Sequence, residues 1–142
     1  MGDNIPAVLR TQVRQLDHNQ CAYCQTPEFL TVTTFEIDHI IPTSAGGTTT
    51  IDNLCLTCPA CNRHKGIRQS ASDPISGEIV PLFNPRNQKW DDHFSWNLET
   101  YTLQGLTPSG RATLLVLNCN RPRMLRLRRL WSKLGYFPYQ GS

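Results

Sequence analysis

Ile37-Asp38-His39-Ile40-Ile41-Pro42 lies between two Cys-x-x-Cys pairs, Cys21/Cys24 and Cys58/Cys61, and this bracketed stretch decides the fold. Residues 25–57, 33 in all, separate the pairs. Each short loop can present two thiolates to one side of an ion. Four soft sulfur ligands fill a tetrahedral zinc shell and leave no open position, so the expected site is structural. The metal would pin the ends of the intervening segment together. A single Cys-x-x-Cys would equally serve as a redox pair, but thiol–disulfide exchange has no use for the polar residues in between. Cys55-x-x-Cys58 has the same spacing, so Cys55 competes for a ligand role. Cys58 and Cys61 are preferred because Cys55 sits between Leu54 and Leu56 and reads as a small buried residue. Cys119 has no partner in sequence and reads as structural.

Asp38 and His39 follow a β-prone run, Thr31–Ile37, and are bounded by apolar residues, where a polar pair is costly unless it has a purpose. A carboxylate holds a hard divalent cation, and an adjacent imidazole takes a proton from an attacking water; phosphodiester hydrolysis needs both. The dipeptide alone is weak, since a lone His more often packs or hydrogen-bonds. Asn53, after the Gly46-Gly47 turn, and Asn62, directly after Cys61 and on the helix expected from Cys58-Pro59, strengthen it, because the cysteine site would fix the direction of Asn62. Glu36, two residues before Asp38 on the same strand face, is expected to play a supporting role.

The order Cys-x-x-Cys, Asp-His-Ile-x-Pro, Gly-Gly, Asn-Leu, Cys-x-x-Cys-Asn-x-x-Lys-Gly resembles the HNH endonucleases over Cys21–Gly66. The resemblance implies a ββα-metal core. It also implies Asp38 and Asn62 as ligands of a catalytic divalent cation, His39 as general base, and Asn53 as the residue orienting that base. Many family members carry His at the Asn62 position, which favours Mg²⁺ here and leaves another divalent cation open. Arg63, Lys65 and Arg68 would then lie near the scissile DNA backbone, although a solvated helix face accounts for each taken singly. One such centre cuts one strand at a time, so a double-strand break requires a homodimer or two visits.

Outside that core, Ile5, Val8, Leu9, Val13 and Leu16 recur at helical spacing and predict an N-terminal helix over 5–18. Residues 69–90 read as a loop-rich connection. Within the extension, 91–142, Phe94–Leu98 and Tyr101–Leu106 read as paired strands, Thr107-Pro108 starts a helix, and Asn120-Arg121-Pro122 opens the last one. This tail resembles the extension of a group of short bacterial HNH proteins. Trp90, Phe94 and Trp96 fit a core better than a base-stacking surface.

The fold class expected is α+β in a single domain: a zinc-stapled ββα core with an N-terminal helix and a C-terminal extension of a strand pair and helices. With 142 residues and 39% hydrophobic content, the chain has room for one core. No apolar run is long enough for a bilayer, which excludes a membrane partner, and Met1–Arg10 lacks a secretory pattern, so a reducing cytoplasm is the expected compartment. Net charge is +3, but Arg121–Ser142 holds six Arg or Lys and no acid. At 100° per residue, Met124, Leu127, Leu130, Trp131 and Leu134 form one stripe of the last helix, while Arg126, Arg129 and Lys133 form a separate arc. That arc is an ordinary solvated face or a phosphate contact. A non-catalytic zinc-ribbon module binding nucleic acid would explain the cysteines and the basic tail, but not Asp38, His39, Asn53 and Asn62 together.

Overall fold

The computed structural model describes residues 4–139; Met1–Asp3 and Gln140–Ser142, the extremities of the end segments read above, lie outside the described residues. Helix α1, Ala7–Leu16, is shorter at both ends than expected: Pro6 caps it in an extended conformation (ψ 146°), and His18 and Asn19, both at φ 56°, turn the chain out of the helix after Asp17. Val13 enters the core, while Val8 and Leu16 stay exposed.

The expected strand over Thr31–Ile37 does not form as such. Strand β1 spans Glu36–His39 and pairs antiparallel with β2, Leu54–Thr57, from Glu36↔Thr57 to His39↔Leu54. Upstream, Glu28 organises the chain instead: its carboxylate accepts from the Phe35 N–H at 2.6 Å and from Arg14 at 2.5 Å, and the Thr31 hydroxyl donates to its carbonyl at 3.0 Å. Such local bonds offer the backbone an alternative to a ladder and override the β-propensity of the threonines. Helix α2, Pro59–Lys65, follows β2, with Pro59 in its first turn and the Cys58 sulfur accepting from the Cys61 N–H at 3.4 Å. Strands β1 and β2 with α2 make the ββα unit.

The connection expected as loop contains a hairpin, β3 at Ser70–Ser72 and β4 at Ile79–Pro81. Strands of three residues are too short to show a period. A four-residue helix α3, Trp90–His93, then precedes the expected strand pair, β5 at Phe94–Asn97 and β6 at Thr102–Gly105. Helix α4, Pro108–Val116, is capped by the Thr107 hydroxyl, which accepts from the Gly110 N–H at 3.0 Å. Helix α5, Pro122–Lys133, closes the chain.

One core joins Val13, Leu54, Leu56, Phe83, Phe94 and Leu117 to the buried cysteines, and a second packs Met124, Trp131 and Phe137 beneath α5. Here the helical wheel needs correction. Leu130 and Leu134 are 51% and 61% exposed, and Arg128 is fully buried in the stripe instead. Its guanidinium donates to the Tyr101 and Cys119 carbonyls at 2.9 and 2.7 Å and to Asn120 Oδ1 at 3.1 Å, and it lies 5.1 Å over the Trp96 ring. A planar fork with this many acceptors substitutes for apolar packing. Trp90 packs against Phe94 and Trp96 at centroid distances of 5.2 and 5.9 Å, so the aromatic residues are core. No described helix is long and apolar enough to cross a membrane.

Candidate functional site

The Sγ atoms of Cys21, Cys24, Cys58 and Cys61 lie within 4.8 Å of one another, all buried, and are placed to hold a metal ion. The first pair sits on a tight knuckle: Gln25 takes φ 65° and its N–H returns to the Cys21 carbonyl at 2.9 Å, while the Cys21 N–H meets the Thr26 carbonyl at 2.9 Å. The second pair sits at the entrance of α2. Hydrogen bonds from Cys21, Cys58 and Cys61 hold the Cys24 thiol well below its usual range, whereas burial pushes Cys21 well above it. Cys55 is not in the cluster. Its thiol lies 3.9 Å from the Tyr23 hydroxyl, and burial pushes it up, so it behaves as a small core residue. Cys119 is likewise buried.

Between β1 and β2 the chain makes a closed loop, and Asn53 ties it. Its Oδ1 accepts from the Ile41 N–H at 2.9 Å, and its Nδ2 donates to the Ile41 and Thr48 carbonyls at 3.0 and 2.9 Å. Asn53 is buried, and its amide is spent on backbone. The structure therefore does not place it on the His39 ring, as the resemblance implies. Gly47 makes the same loop possible: a Cβ there would stand 1.8 Å from the Ile41 oxygen and 2.9 Å from Asn53 Nδ2, while Gly46 beside it takes φ 89°. The side chain that does meet His39 is Thr49, whose Oγ1 lies 2.9 Å from Nε2. Nothing in the Thr48-Thr49-Thr50 run marks Thr49 for this in sequence.

Strand and helix periods bring the remaining groups together. Glu36 and Asp38 share one face of β1, and Asn62 and Lys65, three apart, share one face of α2. Asn62 Nδ2 donates to Glu36 Oε1 at 2.7 Å, and Lys65 Nζ donates to Asp38 Oδ2 at 2.9 Å and to the His39 carbonyl at 3.2 Å. Lys65 is only 2% exposed, so the expectation that it reaches DNA is corrected: its charge is taken up inside the protein. Burial raises the Asp38 carboxyl above its usual range, and the Lys65 ammonium offsets part of that rise. Lys65 takes one carboxylate oxygen and Glu36 takes the Asn62 amide nitrogen. Asp38 Oδ1 and Asn62 Oδ1 remain as acceptors, hard oxygens suited to a divalent cation.

Arg63 and Arg68 are exposed, as are Arg126, Arg129 and Lys133 on α5, and none of the five is in an ion pair among the described residues. His93 is held by the Thr107 hydroxyl at 2.6 Å, a packing role.

A family model described as HNH endonuclease matches residues 21–68. Over 86 residues the chain is 43% identical to the CRISPR-associated endonuclease Cas9 of Corynebacterium diphtheriae, an alignment covering 57% of this chain and 8% of that protein. Over 125 residues it is 26% identical to the Septu protein PtuB of Bacillus thuringiensis, covering 82% of this chain and 45% of PtuB. The chain thus spans less than half the length of either relative. No solved structure gives a significant match.

Proposed function

We propose that the chain is a metal-dependent endonuclease that hydrolyses DNA phosphodiester bonds and nicks one strand per site, a reading supported by the match of residues 21–68 to the HNH endonuclease family model. The observation that carries this reading is the double bridge between β1 and α2, Asn62 to Glu36 and Lys65 to Asp38, set beside His39. It leaves two oxygen acceptors and one imidazole on a single ββα unit. Asp38 and Asn62 would hold the cation, Mg²⁺ or another divalent ion, which when bound supplies Lewis-acid stabilisation of charge on the phosphate. His39 takes the proton of the attacking water at a ring nitrogen, and Thr49 orients that ring. Asn53 acts one step further out, by fixing the loop that carries Thr49. Cys21, Cys24, Cys58 and Cys61 would hold zinc, which would pin the entrance of α2, and with it the direction of Asn62, to the Cys21–Cys24 knuckle.

The test is supercoiled plasmid incubated with purified protein, with and without Mg²⁺, with zinc quantified in the same sample. Nicking that needs Mg²⁺, in a protein holding one zinc, is the expected result. His39→Ala should retain zinc and fold but lose at least about a hundredfold in rate, the lower end of general-base contributions. A faster His39→Ala protein would remove His39 as the base.

A further inference from the structure

We infer that the groove between the 31–35 loop and the start of α5 is a seat for an unpaired DNA strand continuing from the cutting centre, an inference that rests on the nuclease reading. The groove encloses about 500 Å³ and carries Arg63, Arg121 and Arg123 with no Asp or Glu in its lining. None of the three arginines is in an ion pair among the described residues. Three unopposed guanidiniums on one concave surface call for a polyanion. The rest of the lining is largely apolar, with half-buried Leu30 and Leu127 in it and Val32 entirely exposed at its edge.

That combination decides between forms of DNA. A duplex offers phosphates but hides the faces of its bases, and would leave the apolar lining uncovered. An unpaired strand offers both: phosphates to the arginines and base faces to the apolar side chains. The volume falls in the range, roughly 300–1,000 Å³, of sites that bury small organic ligands, the scale of a nucleoside and not of a duplex turn. The position fits as well. Arg63 directly follows Asn62 and Phe35 directly precedes Glu36, so the groove begins one residue beyond each partner of the 2.7 Å Asn62–Glu36 hydrogen bond.

The experiment measures fluorescence anisotropy of a labelled single strand and of the same sequence as duplex, using His39→Ala protein so that nothing is cut. Two variants are built on that background: Arg121→Gln with Arg123→Gln, and Val32→Asp, whose fully exposed site keeps the fold out of the question. Each should weaken single-strand binding by about tenfold, and duplex binding far less. Unchanged single-strand affinity in both variants overturns the inference. So does an equal loss on duplex, which would make the groove an ordinary phosphate contact. Displacement of the strand by poly-glutamate as readily as by poly-dT would assign the groove to an acidic protein instead, and overturns it too. Wild-type plasmid nicking, measured in parallel, reports on the nuclease reading alone.

Discussion

Lys65 Nζ stands 2.9 Å from Asp38 Oδ2 and 3.2 Å from the His39 carbonyl, so one buried ammonium holds both residues of the Asp-His pair. Lys65→Met would leave the partly buried Asp38 carboxylate without its partner, a change whose cost should approach the roughly 3–5 kcal/mol of breaking a buried pair. Urea denaturation in divalent-free buffer should show a loss of that order. Because Asp38 is proposed as a cation ligand, millimolar Mn²⁺ should restore more stability to Lys65→Met than to wild type. Equal Mn²⁺ effects in the two proteins would detach Asp38 from the cation.

Asn53 separates a loop-building role from a base-orienting one. Asn53→Ala removes three hydrogen bonds to backbone, and leaving such groups unsatisfied costs about 1–3 kcal/mol each. The melting temperature should fall clearly, and Asn53→Asp should be worse, because it turns an acceptor toward the Ile41 and Thr48 carbonyls. Wild-type stability with lost nicking would return Asn53 to the imidazole.

How much of this was legible in the sequence depends on what each residue answers to. The clustering of the four cysteines was readable from their spacing, and the ββα unit that brings Asp38, His39 and Asn62 together was implied by the family resemblance that the order of motifs carries. The burial of Lys65 and the Thr49 contact were not, since both depend on how α2 and the 40–53 loop fold back over β1. Arg128 defeats a hydrophobicity wheel for the same reason: the carbonyls that satisfy it come from Tyr101 and Cys119, on segments the wheel does not include. The strand expected at Thr31 failed because Glu28, a residue of another segment, captured the Phe35 N–H.

The ligand assignment predicts an asymmetry between neighbouring cysteines. Cys58→Ser should lower zinc content and unfold or strongly destabilise the chain, since zinc binding is coupled to folding. Cys55→Ser, outside the cluster, should keep its zinc and cost far less. Thermal melts with zinc quantified would decide, and the reverse outcome would move the ligand to Cys55.

Asp73 gives a pH signature. Hydrogen bonds from Arg111, at 2.9 and 2.8 Å, hold its carboxyl well below the usual range, with Ser76 adding to the effect. A depressed pKa means the folded state binds this proton less readily than the unfolded chain. The stabilisation is therefore complete above the unfolded carboxylate pKa of about 3.9 and fades as pH falls below it. Asp73→Asn should be less stable than wild type at pH 7, and the gap should narrow between about pH 4 and pH 2. A gap constant down to pH 2 would mean that the charge on Asp73 contributes nothing to the clamp.

Helix α5 turns its basic arc away from the core. Met124, Arg128 and Trp131 are its buried face, and at 100° per residue Arg126, Arg129 and Lys133 fall on the opposite side, where all three are exposed. They point away from the body of the protein and from any partner within it. A solvated face would leave them idle, yet three cations without an acid among them favour phosphate. If they grip duplex DNA, changing all three to Gln should weaken binding alike on unrelated sequences and lower the salt slope by roughly 0.9 for each lost contact. Fold and zinc content should persist, because none of the three packs or pairs. Anisotropy of His39→Ala protein on duplex across a salt series is the measurement. An unchanged slope in the triple variant would take this arc off the proposed DNA-binding surface and leave Arg68 as the exposed candidate for duplex contact.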